Sequence, residues 1–452
     1  MVYTPNLELV VREYEHKKNE NELPLIRNLS VIVPDRNELP TKAVNTVLFS
    51  IAANMFALTE YNIHEKVVDK VYLSDQSGDR IAIENRERLE TRVREIKKEF
   101  DSAGCGDLFP EVGYFRIGEE MKDRVLRDWR DIPKLSQLIS QINEKGEIYG
   151  KGLNMFLSSM LIGVGEGDPN SSVLFLDADY RNRSARQILA LSLPLSHMGY
   201  AAVTGTFRRY HNNNEKIERG GRVNAGTRAI FDMLTEASLM SERVYSLCGD
   251  QGSAFDILKN LKYAMNFGIE STWRVQMHSW VNSLNRGSEP LLKNRRSLQV
   301  DIKGSDDVPI GEGKSKEEVL ENLANMSKQV TEAALATIGY KNLTGRWRDK
   351  HRLMKEFRDI QWRNLEDWKS YSEKDFGEIL PISGGISEDE LREVTQKAVY
   401  EVVEDFYEGK AKSETKLRAQ FLPSLKNLRR TLGKRKYNSL VRGLNKSLSL
   451  VN

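Results

Sequence analysis

Ser171-Ser172-Val173-Leu174-Phe175-Leu176-Asp177-Ala178-Asp179 is the stretch on which the reading of this chain turns. Its apolar run suits a buried strand, and it stops at two aspartates separated by one small residue. A strand ending this way sets two carboxylates at one exposed sheet edge. Their repulsion is unfavourable unless a cation relieves it, and hard oxygen ligands suit Mg²⁺ or Mn²⁺, either of which can bridge a diphosphate. Spacing alone leaves a second reading open, in which Asp177 or Asp179 caps the next helix.

Outward from this point the chain alternates between two periods. Short apolar runs predict strands at 29–34, 70–74, 113–117, 173–176 and 201–207. Helical spacing predicts helices from about Lys42, over 84–99 (Leu89, Val93 and Ile96 on one face), and over 153–161, 222–234 and 314–338. Strands alternating with helices imply an α/β fold, a mostly parallel sheet covered on both faces. Ligands of such sheets collect beyond the carboxyl ends of the strands, where Asp75, Ser77, Asp177 and Asp179 all fall.

The bulk numbers agree with one large catalytic domain and a smaller appendage. The chain has 452 residues, 39% hydrophobic and 29% charged, with Lys+Arg at 68 against Asp+Glu at 65. A net charge of +3 is too small to suggest a nucleic-acid binder. The two cysteines, Cys105 and Cys248, have neither paired nor metal-ligand spacing and read as reduced thiols. The first residues are charged throughout, without the apolar core of a signal peptide, and a cytoplasmic location is expected. The stretch 43–58 is interrupted by Asn45, Thr46, Ser50 and Asn54, so it reads as a buried amphipathic helix and no membrane span is expected. Three segments follow: an N-terminal extension at 1–28, a large domain at 29–338 (halves about 29–180 and 181–338), and a helical region at 339–452.

Other segments carry chemistry only in combination. Gly150-Lys151-Gly152 precedes a helix, and its lysine suits a phosphate as a point charge; an ordinary loop is the plain alternative. Arg219-Gly220-Gly221-Arg222-Val223-Asn224 joins glycines to an arginine at a helix start, which suits an anion or merely a tight turn. Gly249-Asp250 and Gly268-Ile269-Glu270 set carboxylates beside glycine, as a helix cap also would. His197, His211 and His278 show no ligand spacing. The basic stretch 426–442 keeps Leu428, Leu432 and Leu440 at helical intervals, the pattern of a docking face.

Together these pieces resemble, in kind and order, the retaining GT-A glycosyltransferases of the glucosyl-3-phosphoglycerate synthase family and, more distantly, mannosylglycerate synthases. The resemblance runs from about residue 29 to 335 and implies a GT-A Rossmann-like sheet. Pro34-Asp35-Arg36-Asn37-Glu38 looks like the family's segment after the first strand, implying donor contacts at Pro34, Asn37 and Glu38. Ser74-Asp75-Gln76-Ser77-Gly78-Asp79 looks like its next turn, implying uracil or ribose contacts near Asp75 and Ser77. Lys151 would sit on the donor phosphates, and Asp177-Ala178-Asp179 stands at the metal motif. Gly221, Arg222, Val223 and Asn224 would receive an acidic acceptor, and Asp250 and Glu270 would lie near the transferred sugar. Ala324–Val330 is similar to a further helix of the family.

The resemblance implies transfer of a hexose, glucose favoured, from a nucleotide-sugar donor to a small acidic acceptor, 3-phosphoglycerate or D-glycerate, with Mg²⁺ or Mn²⁺ as cofactor. A homodimer is expected. Three departures stand out: Asn224 replaces a threonine, Asp250 a glutamate, and no histidine follows Gln299-Val300, where the family has a metal ligand. Asp307 or Asp306 is the candidate third ligand, since Mg²⁺ accepts oxygen readily. Two other readings stay open: a different small acceptor, or an inactive relative that binds nucleotide.

Overall fold

The structure is a computed structural model. It describes residues 5–24, 27–36, 40–117, 150–166, 171–180, 183–206, 209–210, 248–258, 262–263, 267–270, 273, 297–302, 305–306, 326, 329 and 378–379. Asn37, Glu38, Gly221, Arg222, Val223, Asn224 and Asp307 lie outside the described residues. So do the helix expected at 222–234, most of that at 314–338, and 339–452 apart from the two-residue strand Glu378–Ile379.

Seven strands form one sheet: β1 (Asn28–Asp35), β2 (Lys70–Asp75), β3 (Glu111–Arg116), β4 (Ser171–Phe175), β5 (Ala202–Thr206), β6 (Gln251–Ala254) and β7 (Ser297–Asp301). Their order across the sheet is β3-β2-β1-β4-β6-β5-β7. All neighbours run parallel except at β6, which is antiparallel to both β4 and β5. This is the mostly parallel α/β sheet expected, with one reversed strand in its middle.

Side chains alternate between the two faces, as the two-residue period of a strand requires. Val31, Val33, Val71, Leu73, Leu174 and Leu176 belong to one core cluster, shared with α1 (Leu7–Asn19), α2 (Pro40–Tyr61) and α5 (Ala185–Ser196). Tyr72 and Phe175 lie outside that cluster. The helix α4 (Lys151–Glu166) packs against β1 and β2 with Leu153, Phe156 and Leu157 buried. A fifth helix, α3 (Asp79–Ser102), buries Ala82, Asn85, Leu89 and Phe100 and lines its outer side with pairs such as Arg86–Glu90 and Lys97–Asp101.

Local choices fix these elements. Ser184 caps α5 in a reciprocal box with Gln187. Asn54 in α2 accepts from the Val67 and Val68 amides at 2.9 Å each and donates to the Val68 and Leu108 carbonyls, pinning the approach to β2. Within α2, Lys42–Tyr61 is long and apolar enough to cross a membrane by length and composition, and over half of it is buried inside this fold. The residues set apart as an N-terminal extension join the same core: Leu7, Val10, Val11 and Tyr14 are buried, and the Asp301 amide donates to the Pro5 carbonyl.

Candidate active site

Three parallel strands end side by side: β1 at Asp35, β2 at Asp75, and β4 at Phe175, two residues before Asp177. The register pairs Asp35 with Asp75 directly. Two buried carboxylates this close require donors between them, and the turn after β2, α3 and β3 together supply these. Asn85 donates to Asp35 at 2.8 Å and to Asp75 at 3.0 Å. The Ser77 hydroxyl donates to Asp35, while the Ser77 amide and the Tyr114 hydroxyl donate to Asp75. Burial and the adjacent Asp75 carboxylate push the Tyr114 phenol well above its ordinary pKa. Arg116 closes the turn through the Ser77 carbonyl and the Asp79 carboxylate. Asp75 and Ser77 are thus both fully buried at the strand end. Pro34 sits in register with Ser74, partly exposed.

The second half is carried by α4. Its docking is polar: Asn154 donates to the Ser74 carbonyl at 2.8 Å and accepts from the Ser74 hydroxyl at 2.6 Å, and Ser158 lies 2.5 Å from the same hydroxyl. The Gly150 amide meets the Gln76 side chain at 3.4 Å. These contacts fix the first turn of the helix and hold Lys151 at its entrance. From there the Lys151 ammonium donates to Asp177 Oδ1 and Glu270 Oε1, both at 2.6 Å. All three side chains are mostly buried. Burial alone would lower the Lys151 pKa, but the two carboxylates outweigh it and raise it, so the amine stays protonated. Glu270 is delivered by a segment anchored on either side: Ile269 and Trp273 are fully buried, with Trp273 edge-on to Phe175 at 5.2 Å.

Asp177 occupies a close-fitting seat. A Cβ built on Gly249 would lie 2.0 Å from both carboxylate oxygens, so only glycine leaves room there. Beside it, Asp250 is completely buried and forms an ion pair with Arg183, at 2.6 and 2.9 Å to its two oxygens. Asp250 also accepts from the Asp177 amide at 2.9 Å, and Arg183 donates to the Asp177 carbonyl at 2.9 Å. The Arg183 guanidinium lies over the Tyr180 ring at 4.1 Å. For Arg183 too, desolvation is outweighed, here by Asp250, and the charge is retained.

Of the residues singled out from sequence, the structure therefore brings Lys151, Asp177, Asp250 and Glu270 together. Ala178 is buried behind them and Asp179 is partly exposed on the same loop. Arg183 escaped the sequence reading. The signal available was an arginine four residues past a paired-aspartate turn, but its partner Asp250 is remote in sequence.

Asp177 and Glu270 set two negative charges against one lysine, before Asp179 is added. Their hard oxygens fit Mg²⁺ or Mn²⁺. No group of three or more His, Cys, Asp or Glu converges as a metal cage among the described residues. Mg²⁺ does not demand one, because it keeps several waters and is commonly held by one or two carboxylates plus substrate phosphates.

No family model and no curated protein matches the chain. Among solved structures, a glucosyl-3-phosphoglycerate synthase from Mycobacterium tuberculosis, in complex with Mn²⁺, uridine diphosphate and phosphoglyceric acid, is 19% identical, covers 73% of this chain and 82% of its own, with a TM-score of 0.41. Another structure of that synthase, with Mg²⁺ and uridine diphosphate, is 18% identical over 73% of this chain and 83% of its own, TM-score 0.39. A mannosyl-3-phosphoglycerate synthase from Rubrobacter xylanophilus is 16% identical over 75% and 86%, with a TM-score of 0.38. The site described above stands on this chain's own residues.

Proposed function

We propose that the protein is a metal-assisted retaining glycosyltransferase that moves a hexose, with glucose favoured, from a nucleoside-diphosphate sugar to 3-phosphoglycerate or D-glycerate. The observation that carries the reading is the Asp177–Lys151–Glu270 bridge beyond the carboxyl ends of the parallel strands. It combines carboxylates suited to a divalent cation with a protonated amine suited to a phosphate.

In this reading Asp177 and Asp179 hold Mg²⁺ or Mn²⁺. The bound ion would supply Lewis-acid stabilisation of charge on the departing diphosphate. Lys151 turns from Asp177 toward the diphosphate and neutralises part of the same charge. Glu270 accepts from a hydroxyl of the sugar and fixes its orientation. Asp250, with both oxygens already engaged, acts through the main chain of Asp177. The nucleoside lies against the turn at Asp75–Ser77, with Pro34, Asn37 and Glu38 beside it. The segment Gly221–Asn224 receives the acidic acceptor, with Asp307 as the candidate further ligand. No base need be strong, since the leaving phosphate can take the acceptor proton in a front-face displacement.

The test is a matrix of UDP- and GDP-linked glucose and mannose against 3-phosphoglycerate and D-glycerate, with Mg²⁺ or Mn²⁺ and product detection by mass spectrometry. Transfer to either acceptor supports the reading. Absence of transfer in every combination overturns the acceptor assignment, and nucleotide binding without any turnover points to an inactive relative.

A further inference from the structure

We infer that Arg183 is a positioning residue which, with Asp250, fixes the main chain of Asp177 and so the placement of its carboxylate; this rests on the reading of Asp177 as a metal ligand. The need for such a device follows from where β4 ends. Its last ladder contact is the Leu176 amide donating to the Ile32 carbonyl at 3.0 Å. Asp177 is the first residue beyond the ladder, and its own N–H and C=O require partners when buried. Both are supplied by one ion pair: Asp250 accepts from the amide and Arg183 donates to the carbonyl.

The pair is itself anchored. The Gly205 amide in β5 donates to the Asp250 carbonyl at 2.9 Å, tying Asp250 to the sheet. Arg183 stacks on Tyr180, which is buried. Arg183 thus reaches back to Asp177, with Asp179 between them in sequence. Asp250 also follows Gly249, the floor of the seat that leaves no space beside the Asp177 carboxylate. A backbone shift at Asp177 would carry the carboxylate out of that seat and away from Lys151.

An ion pair at 1% and 0% side-chain exposure is a poor way to gain stability, because apolar residues of similar volume commonly do as well or better. What an apolar pair lacks is the ability to hold an amide and a carbonyl at once. That contrast supplies the test. Arg183→Lys keeps the charge and loses the two-pronged geometry, and the double variant Arg183→Met/Asp250→Leu removes both charges together, guarding against an unfolded single variant.

Three readouts are needed: thermal unfolding, hydrogen exchange at the Asp177 amide, and Mn²⁺ affinity in the presence of UDP by electron paramagnetic resonance. Kinetics with UDP-glucose and 3-phosphoglycerate accompany them. The expected result is a cooperatively folded double variant with faster Asp177 exchange and a Mn²⁺ affinity lowered about 10–100-fold. The turnover number falls with it, and the KM for the acceptor holds. A folded double variant that keeps wild-type Asp177 protection and Mn²⁺ affinity overturns the inference. If wild-type protein binds no Mn²⁺ with UDP, the functional reading fails, and the exchange readout alone decides whether the clamp exists.

Discussion

Replacing Gly249 with alanine puts a methyl group where the Asp177 carboxylate now lies. The added Cβ would stand 2.0 Å from both oxygens and 2.2 Å from Cγ, whereas ordinary contact begins at 3.4 Å. The carboxylate must therefore withdraw by 1.4 Å, the difference between those distances. The main chain of Asp177 cannot follow easily, because Asp250 and Arg183 hold it at both ends. The movement falls on the side-chain torsions, at a cost of about 1 kcal/mol for an off-rotamer angle, and it breaks the 2.6 Å contact with Lys151. Misplacing a reacting or ligating group by about 1 Å can cost roughly 100-fold in rate, or about 2.7 kcal/mol of barrier. Gly249→Ala should thus lose at least that factor in kcat/KM for hexose transfer, while its melting temperature drops by only a few degrees. Initial rates at saturating Mn²⁺ and a circular dichroism melt measure both. A variant within twofold of wild type in rate would refute the idea that the seat beneath Asp177 matters for catalysis.

Other substitutions separate the site from its scaffold. Lys151→Met removes the counter-ion shared by Asp177 and Glu270, so transfer should fall by about 100-fold or more while nucleotide-free protein binds Mn²⁺ more tightly; titration by electron paramagnetic resonance would expose unchanged or weaker binding as the failing result. Asn54→Ala strands four main-chain groups, three just before β2 and the Leu108 carbonyl just before β3, and urea titration should show a loss of roughly 3 kcal/mol or more; a loss under about 1 kcal/mol contradicts the pinning role. His197 is buried, which pushes its pKa down to about 4 from 6.5. The unfolded chain therefore takes up its proton first, and stability falls as pH drops from 6.5 toward 4, by up to about 3 kcal/mol. Unfolding free energies at pH 7 and pH 4.5 should converge more in His197→Asn than in the wild type, and an equal pH dependence would rule this out.

Much of the sheet was legible because β1, β2, β3 and β4 each carry enough apolar residues to read as buried strands. The reversed strand β6 was not. Its sequence, Gln-Gly-Ser-Ala, has almost no apolar signal, because a central strand here is selected for smallness: a Cβ on Gly252 would meet Leu195 at 2.5 Å and the Val173 carbonyl at 2.7 Å. The helix α5 was missed for the opposite reason, being buried all round and interrupted by Pro194, so no amphipathic period appears. Residues Leu7, Val10, Val11 and Tyr14 do have helical spacing, but the charged residues around them masked a core-facing helix. At the site, Lys151, Asp177 and Glu270, which the structure brings together, stood out in sequence because a strand end or a neighbouring glycine marks each segment. Arg183 was not, since its meaning depends on a salt bridge formed across the sheet.

The reversed strand also sets a timetable for synthesis. β4 and β5 emerge from the ribosome in succession but do not pair with one another; each waits for Gln251–Ala254, which arrives 45 residues after β5 ends. Until then a nascent chain carries unpaired edges on β4 and β5, the kind of surface that invites pairing with other chains. The same late segment brings Gly249 and Asp250, so a half-made chain possesses the Asp177 loop without the floor or the clamp that shapes it. The floor and the clamp of the Asp177 seat are thus acquired together with the middle of the sheet, when this strand joins two that were made before it.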